Sequence, residues 1–455
     1  MTEPLRLRAA WVLPISSPPI ENGEIVLEKG KIVEARPVPI DGAPLTDARD
    51  FGEAILMPGL VNVHTHLDFT LLRGLIEDRE FFAWIRELVA CTETLEEEDY
   101  LASATFGAAE AVAGGVTTIG DCTPSGASMI AAKRAGLRGI IYQEVFGIDG
   151  RQSVEQILSE LNYRVRALTW QASGTHLKVG VSPHAPYTVR PELFRAVAKY
   201  AEENSLPVCV HAAESLAESQ LIREGIGPFA EMFDRRGIAW KAPGGSPIAY
   251  LHALGILSER TLLVHGVQLS ASDRTLIAQT GAAWAHCPKS NAKLGNGVAS
   301  LGLLQQCYPQ SLPRIGLGSD SVASNNTLDL FEEMRFATLL QRGRRRSLET
   351  LCAREMVEMA TIGGARALGL ERKIGSLEAG KEADIIAVRA DTPGMMPCYD
   401  PYNALVFSAG ARDVVMTMVS GEVLYQDRVQ VRLDLNEARG RFLEAARRLK
   451  RRSQA

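Results

Sequence analysis

The sequence predicts a (β/α)8 barrel carrying a small β-sandwich built from both ends of the chain. Three observations predict it. Short β-rich runs with Asn-Gly and Lys-Gly turns occupy both ends of the 455 residues. Between them, apolar runs alternate with helical patterns, the mark of repeated βα units on a parallel sheet. The residues just past those runs are rich in histidine and acid, and in such a barrel the strand C-terminal ends carry the active site.

At the N-terminus the β runs are Leu5 to Val12, Glu24 to Leu27 and Lys31 to Val33, with turns expected at Asn22-Gly23 and Lys29-Gly30. Too few to bury a face alone, they match Ala383 to Val388, Val414 to Val419 and Glu422 to Tyr425 near the other end, where Gly380 and Gly421 mark turns. The expected organisation is a sandwich of residues 1–57 and 378–430, a barrel over 58–377, and a C-terminal helix in 431–455.

The barrel strands are read as Leu60 to Val63, Val116 to Gly120, Gly139 to Val145, Leu177 to Val181, Pro207 to Val210, Thr261 to Val264, Ala282 to Ala285 and Arg314 to Gly318. Helices are expected over Leu95 to Val112, with Thr94 as cap, and over Val154 to Ala167, Pro191 to Glu203 and Ser272 to Gln279. After the barrel, Leu328 to Gln341 leads into the Arg342 to Arg346 run, read as a solvated helix end rather than a nucleic-acid contact. Asn436 to Arg452 reads as a basic amphipathic helix with Phe442-Leu443 and Leu449 on its apolar stripe, packed on its own or a neighbouring subunit.

Composition narrows the partners. With 49 basic and 54 acidic residues the net charge is -5, which gives no general field for nucleic acid or an anionic membrane and leaves a small molecule as the expected partner. Seven cysteines are scattered without CxxC spacing, as in a reducing compartment. No run approaches the ~18 apolar residues of a membrane span, and no signal peptide is evident, so a cytoplasmic location is expected.

The chemistry starts at Met57-Pro58-Gly59-Leu60-Val61-Asn62-Val63-His64-Thr65-His66. Strand side chains alternate, so His64 and His66 project to one side and two imidazoles can grip one metal. Ser182-Pro183-His184 follows the fourth run, His211-Ala212-Ala213-Glu214 the fifth, His265 the sixth, His286 the seventh and Ser319-Asp320 the eighth. Six of the eight histidines thus fall at one end of the barrel, leaving His176 and His252 as structural and His286 as loop support or pocket wall. His64, His66, His211 and Asp320 supply three neutral nitrogens and a carboxylate, a set for one divalent ion, Zn2+ or Fe2+, that brings water to hydroxide near neutral pH. Glu214, three residues after a ligand, can serve as general acid and base. His265 would orient the attacking water and Asp320 accept its first proton. The fourth strand ends at His184, and Lys178 lies at its start, so a bridging lysine for a second metal is missing.

Several motifs extend this set: Thr70-Leu71-Leu72-Arg73-Gly74, Pro183-His184-Ala185-Pro186-Tyr187, Lys293-Leu294-Gly295-Asn296-Gly297, Asp320 to Asn326, and Gly380-Lys381-Glu382-Ala383-Asp384. With them, nearly the whole chain resembles the amidohydrolase superfamily, close to its 5'-methylthioadenosine/S-adenosylhomocysteine deaminase branch, with chlorohydrolases, guanine deaminases and aminodeoxyfutalosine deaminases as cousins. The resemblance implies hydrolytic deamination at C6 of a 5'-substituted adenosine, and a homo-oligomer, dimer or tetramer. By resemblance Glu93, downstream of Trp84, matches an acid that holds the ribose diol, and His184 matches a histidine facing the nucleoside. Arg151 matches an arginine that approaches the 5' substituent. Two departures stand out: Asp68 occupies a position usually small or proline, and Ala212-Ala213 are smaller than the usual residues there. Deamination of a free base or pterin, and triazine or cyclic-amide hydrolysis, use the same metal set; a non-catalytic barrel would be expected to have lost ligands.

Overall fold

The computed structural model describes residues 4–38, 48–305, 313–348 and 351–452. Among these, the barrel strands are Leu60–Thr65, Val116–Thr123, Arg138–Val145, Leu177–Pro183, Val208–Ala212, Thr261–His265, Ala283–His286 and Ile315–Leu317. They form an eight-stranded sheet in sequence order. The pairings between neighbouring strands are parallel, as helical crossovers require. The ring closes where Thr65 and Asp320 make a parallel bridge. All residues of the first three strands are buried, as strands covered on both faces must be.

The two ends of the chain meet in a second, nine-stranded sheet. Its joint is the antiparallel pairing of Ala54–Pro58 with Ile385–Arg389, which places Pro58 opposite Ile385. Leu7, Ile25 and Leu56 from one end share a core with Ile385, Met416 and Met418 from the other. Asn22-Gly23 departs from expectation: it lies inside the strand Ile20–Glu28 rather than at a turn. The reason is close approach, because a Cβ on Gly23 would meet Val12 Cγ2 at 2.5 Å. Lys29-Gly30 is the turn expected, with both residues at positive φ.

Helix boundaries shift where side chains choose a different cap. Thr94 gives its hydroxyl to Cys91 O, and the helix Glu97–Ala113 starts instead from a capping box of Glu96 and Asp99. The helix after the third strand runs Val154–Ala172, capped by Ser153 and five residues longer than expected. The basic run Arg342, Arg344 and Arg345 closes the last turn of Leu330–Arg345, where cations suit the helix dipole.

The C-terminal helix Leu435–Arg452 docks on its own chain, along Glu97–Ala113, with Phe442 stacked on Phe106 at 4.4 Å. Arg448 and Arg452 both bond the buried Asp99. Leu449 is buried, but Leu443 is 42% exposed and lies off the stripe. No described helix is long and apolar enough to cross a membrane. Six described cysteines are free; Cys307 lies outside the described residues.

Candidate active site

At the C-terminal ends of the barrel strands a cavity of about 330 Å³ is lined by His66, His184, His211, Glu214, His265 and Asp320. His64 lies beneath them, fully buried. One atom each of His64, His211, His265 and Asp320 falls within 4.8 Å of the others. His66 joins through Asp320, its Nε2 3.5 Å from Oδ1, the same oxygen that lies 3.3 Å from His64 Nε2.

Neighbours fix each ring and carboxylate. His211 Nδ1 pairs with the backbone oxygen of His184 at 2.9 Å, which leaves Nε2 facing His64 Nε2 at 3.3 Å. His265 Nδ1 meets Asn291 Oδ1 at 2.9 Å. Ser290 and Ser324 donate to Asp320 Oδ2 at 2.6 and 3.0 Å. His265, the last residue of its strand, and Asp320, three residues past Ile315–Leu317, stand at φ 77 and 58, left-handed conformations that a non-glycine residue holds only when its surroundings impose them.

The electrostatics ask for a cation. Burial pushes His66 down to about 3 and His265 to about 4, so both are neutral at neutral pH. Burial also opposes charge on His64, yet Asp320 and Cys209 hold it up at about 10. Asp320 stays well below the usual carboxylate range because His64 bonds to it, outweighing burial. A dication fits between His64 and Asp320, where imidazoles and one carboxylate converge, and His66 Nδ1 is buried without a protein partner. The donor set therefore suits a divalent metal.

Glu214 stands beside this cluster, its Oε1 3.7 Å from His265 Nε2. Tyr187 donates to its Oε2 at 3.3 Å and Asn296 to its Oε1 at 3.4 Å. Burial, with the nearby charges of Asp320 and Glu218, raises its carboxyl well above the usual range, the direction a proton donor needs. Glu218 accepts the backbone N–H groups of Ala213 and Glu214 and so fixes the turn that aims Glu214.

The outer wall of the cavity is apolar. The helix Phe81–Thr92 presents Phe81, Trp84, Ile85, Leu88 and Thr92, a stripe at helical spacing, and Phe69, Tyr100 and Phe146 complete it. His184 and Trp84 are thus on the cavity wall as expected. Two other expected residues are not. Glu93 is the C-cap residue of that helix and is exposed; the helix phase turns Thr92 inward in its place. Arg151 is 80% exposed and pairs with Asp149 at 3.2 Å, because its loop runs along the surface. His286 is buried outside the cavity lining, and His176 and His252 are exposed. Asp68 is also walled off: Thr123, Ser125 and Ser128 saturate its carboxylate, a support for the loop after the first strand.

Sequence reasoning missed Tyr187, Asn291, Asn296, Ser290, Ser324 and Glu144. The signal for Tyr187, Asn296 and Ser324 lay in the motifs already singled out; Glu144 sits at the C-terminal end of the third strand, a position worth inspecting in any barrel.

An eight-stranded barrel with histidines and an aspartate gathered at its strand ends defines a metal-dependent hydrolase. A model described as "Amidohydrolase family" matches residues 55–424, and the chain belongs to the amidohydrolase family. It is similar to the 5-methylthioadenosine/S-adenosylhomocysteine deaminase of Symbiobacterium thermophilum, 33% identical over 99% of this chain and 100% of that one. It is 34% identical to that of Nitratidesulfovibrio vulgaris (strain Miyazaki F) over 91% and 90%. Among solved structures, an adenosine deaminase from Xanthomonas campestris with bound zinc aligns at TM-score 0.85 and 27% identity, over 98% and 99% of the two chains. The zinc complex of atrazine chlorohydrolase from Arthrobacter aurescens TC1 shares the fold at TM-score 0.82, 22% identity and 97% and 100% coverage.

Proposed function

We propose that this protein is a hydrolytic deaminase acting at C6 of a 5'-substituted adenosine and releasing ammonia. The observation that carries this reading is the buried Glu214 beside His265, in a chain that matches named deaminases end to end. His64, His66, His211 and Asp320 would hold one divalent metal, Zn2+ in the first instance, which when bound supplies water activated at neutral pH. Both zinc-bearing relatives above support that choice over Fe2+.

The side chains divide the proton work. Glu214 gives its proton to N1 of the adenine ring, which makes C6 electrophilic. His265, fixed by Asn291, orients the water that adds to C6, and Asp320 takes the water's first proton. The hydroxyl proton of the adduct then returns to Glu214 as the proton on Asp320 passes to the amino group. Ammonia leaves and a C6 carbonyl with a protonated N1 remains. Trp84 and Phe69 offer apolar faces to the nucleoside, and His184 approaches it from the fourth strand.

The test is ammonia release across adenine nucleosides, guanine, pterins and triazines. Release from adenosine derivatives supports the reading; turnover of guanine or a triazine alone replaces it with a free-base deaminase or ring hydrolase. The protein is expected to work as a homo-oligomer in the cytoplasm, and sedimentation would give the number of subunits.

A further inference from the structure

The cavity wall beyond the catalytic cluster has a chemistry of its own. Phe81, Trp84, Ile85 and Leu88 from one helix face Phe146 and Tyr100 across it. Among the described residues that line the cavity there is no lysine or arginine. Arg151, which by resemblance was expected to approach the 5' substituent, pairs with Asp149 on the surface instead.

Two polar groups break this wall. Trp84 Nε1 and Glu144 Oε1 are both buried without a protein partner, and both residues line the cavity. Burial raises the Glu144 carboxyl well above the usual range, which favours its neutral form. A donor and a neutral acid suit hydroxyl groups. Neither compensates an ionic group, and an ionised carboxylate or ammonium buried without a partner is strongly disfavoured.

We infer that the site selects adenosines whose 5' substituent is uncharged and apolar, of the short alkylthio class, over those carrying an ionised amino-acid tail. The carriers are the stripe Phe81, Trp84, Ile85 and Leu88 together with Phe146, and the missing cation. This inference rests on the deaminase reading above and goes further by dividing the two substrates named for its relatives.

The experiment compares kcat/KM for 5'-methylthioadenosine and S-adenosylhomocysteine on the metal-loaded enzyme. The methylthio compound is expected to lead by about tenfold to a hundredfold, the scale of one charged group left without its partner. Leu88, at the half-buried rim, gives the second arm: Leu88→Arg supplies the absent cation and is expected to narrow that gap by raising kcat/KM for S-adenosylhomocysteine relative to the methylthio compound. Equal rates on both compounds in the wild type, or a gap unmoved in an active Leu88→Arg enzyme, would overturn the inference and leave the deaminase reading standing. Failure on every adenosine derivative would overturn both.

Discussion

Thr65 and Asp320 form the backbone bridge that closes the barrel, and His64 and His66 flank one side of that bridge. Asp320 N donates to His64 O at 3.0 Å, so closing the sheet and bringing the carboxylate to both imidazoles are one event. Asn62 reinforces it from below, exchanging hydrogen bonds with Ser319 Oγ and N at 2.7 and 3.0 Å.

Metal analysis should therefore give about one divalent ion per chain, because the two described donor groups, His64 with His211, His265 and Asp320, and His64 with Cys122 and Cys209, share His64 and cannot both be filled. Asp320→Ala is expected to lose both the ion and turnover, and chelation of the wild type to abolish activity that Zn2+ restores. Two ions per chain at full activity would refute the single centre.

Glu214→Gln should keep the metal and lose about 10²- to 10⁴-fold in kcat, since proton transfer goes while the ligands stay. Turnover and metal content measured on the same sample decide it; near wild-type turnover would remove Glu214 from the proton path.

Glu93→Ala is expected to leave the ratio of kcat/KM for adenosine and 2'-deoxyadenosine unchanged, because Glu93 is exposed past the helix end. Thr92→Val is the contrasting variant, removing a hydroxyl from the residue that does line the cavity. A ratio that collapses in Glu93→Ala would show that the helix end turns inward when substrate binds.

Glu333 gives a pH test. It is buried beneath the loop after the eighth strand, where its Oε1 accepts from Asn325 Nδ2 at 2.6 Å. Burial raises its pKa from 4.5 to about 8. The folded state then holds a proton that the unfolded chain releases, so this group's contribution is intact below pH 4.5 and is lost as pH rises toward about 8. Glu333→Gln should flatten the fall in Tm over that window. A variant whose Tm falls with pH as steeply as the wild type would assign the effect elsewhere.

Asp99→Ala should loosen the C-terminal helix by ~2 to 3 kcal/mol, since the buried carboxylate bonds both Arg448 and Arg452. Denaturant unfolding measures it, and limited proteolysis should cut first in the released helix.

The eight strands and their histidines were legible because strand alternation is local. His64 and His66 share a face by backbone geometry alone, and the residue after a barrel strand must lie at the ring's upper rim, so the residue order already brought these side chains to one end. Glu214 was legible for the same reason, three residues beyond His211.

What lay beyond the strand ends was decided by packing. The helix Phe81–Thr92 has an apolar stripe visible in its sequence, but which side of its last turn meets the cavity depends on how Phe81 seats against Tyr187 and Phe229. That contact spans more than a hundred residues of chain, and it turns Thr92 in and leaves Glu93 out. Arg151 depends likewise on a loop whose course no local period sets. By itself the sequence determined the barrel and the gathering of the histidines, Glu214 and Asp320 at one end of it; the tertiary structure decided the walls, because a strand orients its neighbours through covalent geometry while a cavity wall is assembled from segments that meet only on folding.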